Sequence, residues 1–209
     1  MARGRAERSR RVARRASPPQ SAKDFDEIAP LPPAIWTVGH STRPLETFLA
    51  VLEAHGIELI TDVRRFPGSR RVPQYGAEPL ARALESRGIA YLWLPALGGR
   101  RCEPADASGG ESAWRHPAFR AYAAHMMSEE FAAGLFALLM AARGLRTAIL
   151  CAELLWWRCH RRLIADLLLS LGLPVSHLRD AGPAEPHRLA PPARLVGGRL
   201  TYAPTKTAG

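Results

Sequence analysis

The sequence predicts an α/β fold, with helices covering a mostly parallel sheet of about five strands and a small hairpin near the C-terminus. Short apolar segments alternate with longer segments whose apolar residues recur every three or four positions. This alternation is typical of a parallel sheet with helical connections. With 47% hydrophobic and 23% charged residues in 209 positions, one domain with a sizeable core is expected.

Five segments have the short, apolar pattern of buried strands. They are residues 34–38, 59–63, 89–94, 147–151 and 174–178. The longer segments between them predict helices, with glycine at several of their ends. The first of these helices begins at Leu45, and the others cover residues 78–87, 117–127, 129–143 and 159–171. Near the end, Gly197-Gly198 lies between alternating residues and predicts a tight hairpin over residues 194–202.

The positive charge is concentrated at the start of the chain. The formal net charge is +10, and residues 1–23 contain seven Arg and one Lys but only one acidic residue. Because this segment has no apolar periodicity, we expect a disordered basic tail over residues 1–33. A single domain then spans residues 34–203, followed by a loose tail at 204–209.

The sequence also indicates where the chain resides. No apolar stretch is long enough to span a membrane, and no signal-peptide core is present. The three cysteines, Cys102, Cys151 and Cys159, are an odd number without a disulfide framework. We therefore expect a cytoplasmic protein with no membrane partner.

Polar residues gather where the predicted strands end. Because ligands bind at the carboxyl ends of parallel strands, these residues are expected to form one site. Between Gly98 and Trp114 a long Gly/Arg/Ser-rich segment adds either a functional or a mobile loop. The predicted catalytic residues are His40, Asp62, Glu153 and Cys159, and the predicted substrate contacts are Gly39, Ser41, Arg64, Arg65, Arg100, Cys151, Arg158, His160 and Arg161.

Three of these segments are unusual in combination. They are GHS at residues 39–41, DVRRFPGSRR at 62–71 and CAE-x3-WRCHR at 151–161. With LPALGGRR, WRHPAFRAY and the PHRLAPPARLVGGRLTY segment, the chain resembles the domain-of-unknown-function 488 family over about residues 36–203. The resemblance implies a Rossmann-like, three-layer α/β domain and assigns no activity.

The arginines of the site predict a phosphate-bearing ligand, either a nucleotide, a nucleic acid or a sugar phosphate. Guanidinium groups bind phosphate oxygens in pairs, and helix N-termini favour the same anions. His40, Asp62 and Glu153 then offer acid–base or nucleophilic chemistry, such as cleavage or transfer at an N-glycosidic bond. The leading hypothesis is an enzyme of this kind, a hydrolase or transferase without a cofactor.

Two alternatives stay open at this stage. Cys159, beside Arg158 and Arg161, fits a rhodanese-like sulfur transferase or a phosphatase, although the segment after Cys151 is too bulky for a standard anion-cradling loop. The domain is alternatively a binding module without turnover. No metal is expected, because Cys159 and His160 both fall within the predicted helix over residues 159–171. Consecutive side chains on a helix point in different directions, so the two cannot easily bind one ion.

Overall fold

The computed structural model describes residues 31–68, 70–101 and 112–204. Almost all of both predicted tails, Cys102, and most of the predicted loop between Gly98 and Trp114 lie outside these residues. No helix among the described residues is both long and apolar enough to cross a membrane.

The helices and strands follow the predicted alternation closely. The elements are β1 (Ile35–Gly39), α1 (Leu45–Ala54), β2 (Leu59–Asp62), α2 (Ala77–Ser86), β3 (Ala90–Trp93), α3 (Pro117–His125), α4 (Glu129–Ala141), β4 (Thr147–Cys151), α5 (Arg161–Ser170), β5 (Val175–Leu178), β6 (Glu185–Pro186), β7 (Arg194–Val196) and β8 (Arg199–Thr201).

The main sheet has six strands in the order β3-β2-β4-β1-β5-β6. The first five strands in this order run parallel, and β6 pairs antiparallel with β5. The predicted largely parallel sheet is therefore confirmed. The sixth strand was not predicted, because a two-residue strand has no periodicity to detect.

The predicted hairpin is confirmed as well. Strands β7 and β8 pair antiparallel across Gly197 and Gly198. Both glycines have positive φ, 56° and 76°, which is the backbone conformation that a tight two-residue hairpin turn requires.

The helices form a layer on each face of the sheet, each over its own hydrophobic core. Phe48 of α1 and Leu80 of α2 pack against Val38 and Leu150 on one face. On the other face, residues of α3, α4 and α5 pack around Ile149. This alternation along β4 follows from the two-residue period of a strand, and it fixes which side chains of the strand ends point toward which layer.

A chain of polar groups is buried beside the second core. His177 on β5 contacts Thr37 of β1 through Nδ1 at 2.7 Å and His187 through Nε2 at 3.0 Å. Asp166 of α5 accepts from His187 Nε2 at 2.9 Å and from the Tyr202 hydroxyl at 3.0 Å. The chain links the central strand, helix α5 and the segment after β8, so it ties the C-terminal hairpin to the sheet.

Candidate functional site

The carboxyl ends of β1, β2 and β4 lie side by side, as the sequence predicted. Gly39 is in register with Cys151, and Asp62 is in register with Leu150. The loops after β1 and β4 then run close together, since a Cβ atom at Gly39 would lie 2.0 Å from the Glu153 carbonyl oxygen. Only glycine fits here, because the loop backbone takes the place of a side chain.

A cavity of about 710 Å³ opens at this edge of the sheet. Arginines and aromatic rings form much of its wall, and the two described cysteines form part of it. Its lining residues are Arg64, Arg65, Phe66, Gly99, Arg100, His116, Ala118, Phe119, Cys151, Ala152, Glu153, Trp157, Arg158, Cys159 and His160.

Several residues predicted for the site do not reach this cavity. They are Gly39, His40, Ser41, Asp62 and Arg161, none of which belongs to its lining. His40, Asp62 and Arg161 are at most 2% exposed. Their side chains therefore lie behind the residues that line the cavity.

Asp62 is fully occupied by its neighbours. Its Oδ1 accepts from the backbone N–H and Nε of Arg64 at 3.0 and 2.9 Å, and its Oδ2 accepts from Nη2 of Arg64 and from the Tyr91 hydroxyl. Arg64 also donates from Nη1 to the Tyr75 carbonyl at 2.7 Å. The predicted acid–base role of Asp62 is not supported by this geometry, which is that of a buried structural ion pair.

His40 is held as a neutral imidazole. Its Nδ1 donates to the Ser41 carbonyl at 2.7 Å, which leaves Nε2 to accept from Arg64 Nη1 at 3.1 Å. The ring stacks on Tyr75, with the two centroids 4.1 Å apart. Burial and then the positive charge of Arg64 lower the pKa of His40 from 6.5 to about 4. His40 is thus a neutral support for Arg64 at neutral pH.

This lowered pKa predicts how stability depends on pH. In the unfolded chain His40 takes up a proton below about pH 6.5, whereas in the folded protein it does so only near pH 4. The contribution of neutral His40 to the free energy of unfolding is therefore fully present above pH 6.5 and declines as the pH falls from 6.5 to 4. The slope from this one group is at most about 1.4 kcal/mol per pH unit.

Urea denaturation at a series of pH values tests this. His40→Gln should flatten the slope between pH 6.5 and 4 relative to that of the unaltered protein. His177, whose pKa burial and then His187 lower to about 3, adds to the remaining slope. An unchanged slope in His40→Gln would show that His40 is solvated or charged in the folded protein.

Arg161 lies behind the part of the cavity wall formed by Cys151, Cys159 and His160, which we call the inner wall. Its Nε donates to Cys159 Sγ at 3.4 Å, Nη1 donates to Thr37 Oγ1 at 3.3 Å, and Nη2 donates to the Glu153 carbonyl. None of the salt bridges among the described residues involves Arg161. Because a buried cation needs a compensating charge, Cys159 in its thiolate form is the natural partner.

Two cysteines and a histidine meet at the inner wall. His160 Nδ1 lies 3.6 Å from Cys159 Sγ and 3.9 Å from Cys151 Sγ, and the three atoms all lie within 4.8 Å of one another. The sequence argument against such convergence was wrong. Helix α5 begins at Arg161, and Cys159 precedes it in an extended conformation with φ −125° and ψ 150°, so its side chain can turn toward that of His160.

The two thiols are unlike each other. The hydrogen bond with Cys159, together with burial, raises the pKa of Cys151 well above its ordinary value. Burial alone would raise the pKa of Cys159, but the hydrogen bond with Cys151 and the electrostatic interactions with His160 and Arg161 outweigh it and lower that pKa well below its ordinary value. Of the two thiols, Cys159 is therefore the one whose surroundings favour the thiolate form.

Comparison with known proteins gives one match. The family described as domain of unknown function DUF488 matches residues 44–168, which is more than half of the chain. The chain belongs to the DUF488 family. No curated protein and no solved structure matches it significantly.

The DUF488 domain has cavity residues that sequence reasoning did not assign to the site. His116, Ala118 and Phe119 come from the start of α3 and the residue before it. Phe66 also belongs to the wall and is 65% exposed. The apolar pattern of α3 predicted only core packing. The sequence carries no local signal that this helix, which is distant from β2 and β4 along the chain, lies near the ends of those strands.

Proposed function

We propose that this DUF488 protein is an enzyme that binds a phosphate-bearing substrate in the cavity and cleaves or transfers a group at its inner wall. Three guanidinium groups carry the proposal. Arg65, Arg100 and Arg158 line the cavity, and no hydrogen bond or salt bridge joins their side chains to other described residues. Several cations gathered in one concave site favour a multiply charged anion.

The aromatic residues of the wall narrow the substrate class. Phe66 and Trp157 are 65% and 39% exposed, although large aromatic side chains are usually buried. The Arg65 guanidinium lies over the Phe66 ring, 5.9 Å from its centroid. A base stacks readily on such a surface. The combination favours a nucleotide or nucleic-acid substrate over a sugar phosphate.

Glu153 is the acid–base residue best placed for chemistry. Of the three groups predicted from the sequence, His40, Asp62 and Glu153, it is the one that lines the cavity, and it is exposed. A carboxylate there can stabilise the developing oxocarbenium ion or activate a water during N-glycosidic cleavage or transfer. The arginines would meanwhile hold the phosphate of the same substrate.

One observation favours a second function, cysteine-dependent sulfur transfer or phosphate-ester cleavage. Cys159 lines the cavity, and its Sγ accepts a hydrogen bond from the buried Arg161 guanidinium at 3.4 Å. A thiolate supported in this way is a competent nucleophile. The two functions share the arginine wall and differ in whether Glu153 or Cys159 reacts.

Removing one arginine side chain from the cavity wall should weaken ligand binding without affecting the fold. We expect Arg158→Ala and Arg65→Ala each to lower affinity for phosphorylated ligands roughly tenfold or more, since hydrogen bonds to charged groups contribute about 1.5–3 kcal/mol. Thermal-shift titration with nucleotides, oligonucleotides, sugar phosphates and thiosulfate measures this. Arg82→Ala is the matched control, because Arg82 lies on α2 in an exposed pair with Glu78.

Turnover assays on the ligand that binds then separate the functions. N-glycosidic cleavage predicts that Glu153→Gln abolishes product formation while binding persists. Loss of product in Cys159→Ser with Glu153→Gln still active supports the cysteine-dependent function instead. Binding without any product identifies a binding module, and no shift with any phosphorylated ligand refutes the proposal.

A further inference from the structure

We propose that Cys151, Cys159 and His160 form a binding site for a thiophilic divalent transition metal, with Zn²⁺ as the expected ion and one coordination position open to the cavity. The inference concerns the inner wall, and it does not depend on which substrate the arginines bind. Two thiolates and an imidazole are the soft and intermediate ligands that favour zinc over magnesium or calcium.

The distances fit tetrahedral coordination. Zinc bonds of about 2.3 Å to sulfur and about 2.0 Å to nitrogen, at tetrahedral angles, place neighbouring sulfur and nitrogen ligands about 3.5 Å apart. The two Sγ–Nδ1 distances here are 3.6 and 3.9 Å. The three atoms all lie within 4.8 Å of one another, so small side-chain rotations would bring them to one ion.

The imidazole is held with Nδ1 facing both sulfurs. A Cβ atom at Gly99 would lie 2.2 Å from His160 Nδ1, so the ring packs directly against the Gly99 backbone. On another side the ring contacts Tyr122, with centroids 4.9 Å apart. Nε2 is buried and has no hydrogen-bond partner among the described residues. With the proton on Nε2, the Nδ1 lone pair is free for a metal.

The surroundings also suit a thiolate ligand. Arg161 Nε donates to Cys159 Sγ at 3.4 Å, and such outer contacts orient metal ligands and stabilise their charge. All three ligands belong to the cavity wall. Sets of three protein ligands typically leave a fourth position for water or substrate. If the proposed function also holds, a phosphate oxygen or the attacking water would bind there.

Metal content of the full chain tests the site directly. The protein, purified under reducing conditions, is dialysed against Zn²⁺ or, separately, Co²⁺, with no phosphorylated ligand present. We expect one bound ion per chain by elemental analysis and a thiolate-to-cobalt charge-transfer band. Cys159→Ser and Cys151→Ser should lose the band, whereas Arg82→Ala, in an exposed ion pair on α2, should retain both the band and the stoichiometry.

Misfolding of the cysteine variants would also abolish metal binding, so another variant tests the site with both cysteines in place. Gly99→Ala changes no ligand atom, but its Cβ would lie 2.2 Å from His160 Nδ1 and displace the ring, so it should weaken metal binding at least tenfold while the circular dichroism spectrum is retained. Arg158→Ala should bind the metal normally, which distinguishes failure of the metal site from failure of the phosphate site. The site is refuted by the absence of bound metal, by metal retained in Cys159→Ser, or by iodoacetamide labelling of Cys159 at the same rate with and without Zn²⁺.

Discussion

Asp62→Ala is expected to lower the free energy of unfolding by about 3–5 kcal/mol, because it leaves a buried guanidinium without its counter-charge. Asp62 is 0% and Arg64 8% exposed. The substitution also removes the acceptor of the Tyr91 hydroxyl, which lies 2.7 Å from Oδ2. Typical domains are stable by 5–15 kcal/mol in total, so this change should remove a large share of the stability.

Urea denaturation followed by circular dichroism measures the loss. Glu78→Ala is the matched control, because it also removes a carboxylate from an arginine pair, but Arg82 and Glu78 are 64% and 81% exposed. Exposed pairs contribute little, and the control should lose less than about 0.5 kcal/mol. Similar losses in the two variants would mean that the Asp62–Arg64 pair is solvated and that the wall behind the cavity is built differently.

Asp166→Ala is expected to lower the free energy of unfolding by about 2–6 kcal/mol. The Asp166 carboxylate accepts from His187 Nε2 at 2.9 Å and from the Tyr202 hydroxyl at 3.0 Å. Both donors would stay buried without a partner, at about 1–3 kcal/mol each. Because Tyr202 follows β8, the segment around the hairpin should also become protease-sensitive, in addition to the lowered urea midpoint.

Asp166→Asn and Asp180→Ala complete this comparison. The asparagine oxygen can still accept one of the two hydrogen bonds, so Asp166→Asn should lose less than Asp166→Ala. Asp180 is exposed, and its carboxylate accepts a hydrogen bond from the nearby Gly182 backbone, so its removal should change the stability by less than about 0.5 kcal/mol. If Asp166→Ala is as stable as Asp180→Ala, the buried chain of polar groups does not hold the hairpin.

The strands and their common edge were predictable from local pattern. The apolar segments 34–38, 59–63 and 147–151 marked β1, β2 and β4, and the rule that parallel strands place their carboxyl ends together then located the site. The order of the strands was not predictable, because β1 pairs with β4 and β5, which follow it by more than a hundred residues. Long-range pairing of this kind leaves no local signal.

The roles within the site were harder to infer than its position. Sequence reasoning treated Arg64 and Arg161 like Arg65 and Arg158, because residue type alone does not show which guanidinium groups are satisfied internally. The difference depends on which carbonyls and carboxylates the fold brings near each one. The sequence predicted that α5 begins at Cys159, whereas it begins at Arg161. This difference of two residues mattered most, because it places Cys159 before the helix and allows its sulfur to lie close to the His160 ring.

The central position of β1 has a consequence for how this domain can be divided. The segment that matches the family, residues 44–168, includes neither β1 nor β5. A fragment cut at these residues would keep β3, β2 and β4 but would expose the edge of β4 that normally bonds to β1. An apolar strand with an open edge promotes self-association. The segment that matches the family therefore lacks the central strand, through which the sheet of the full chain joins β4 to β5.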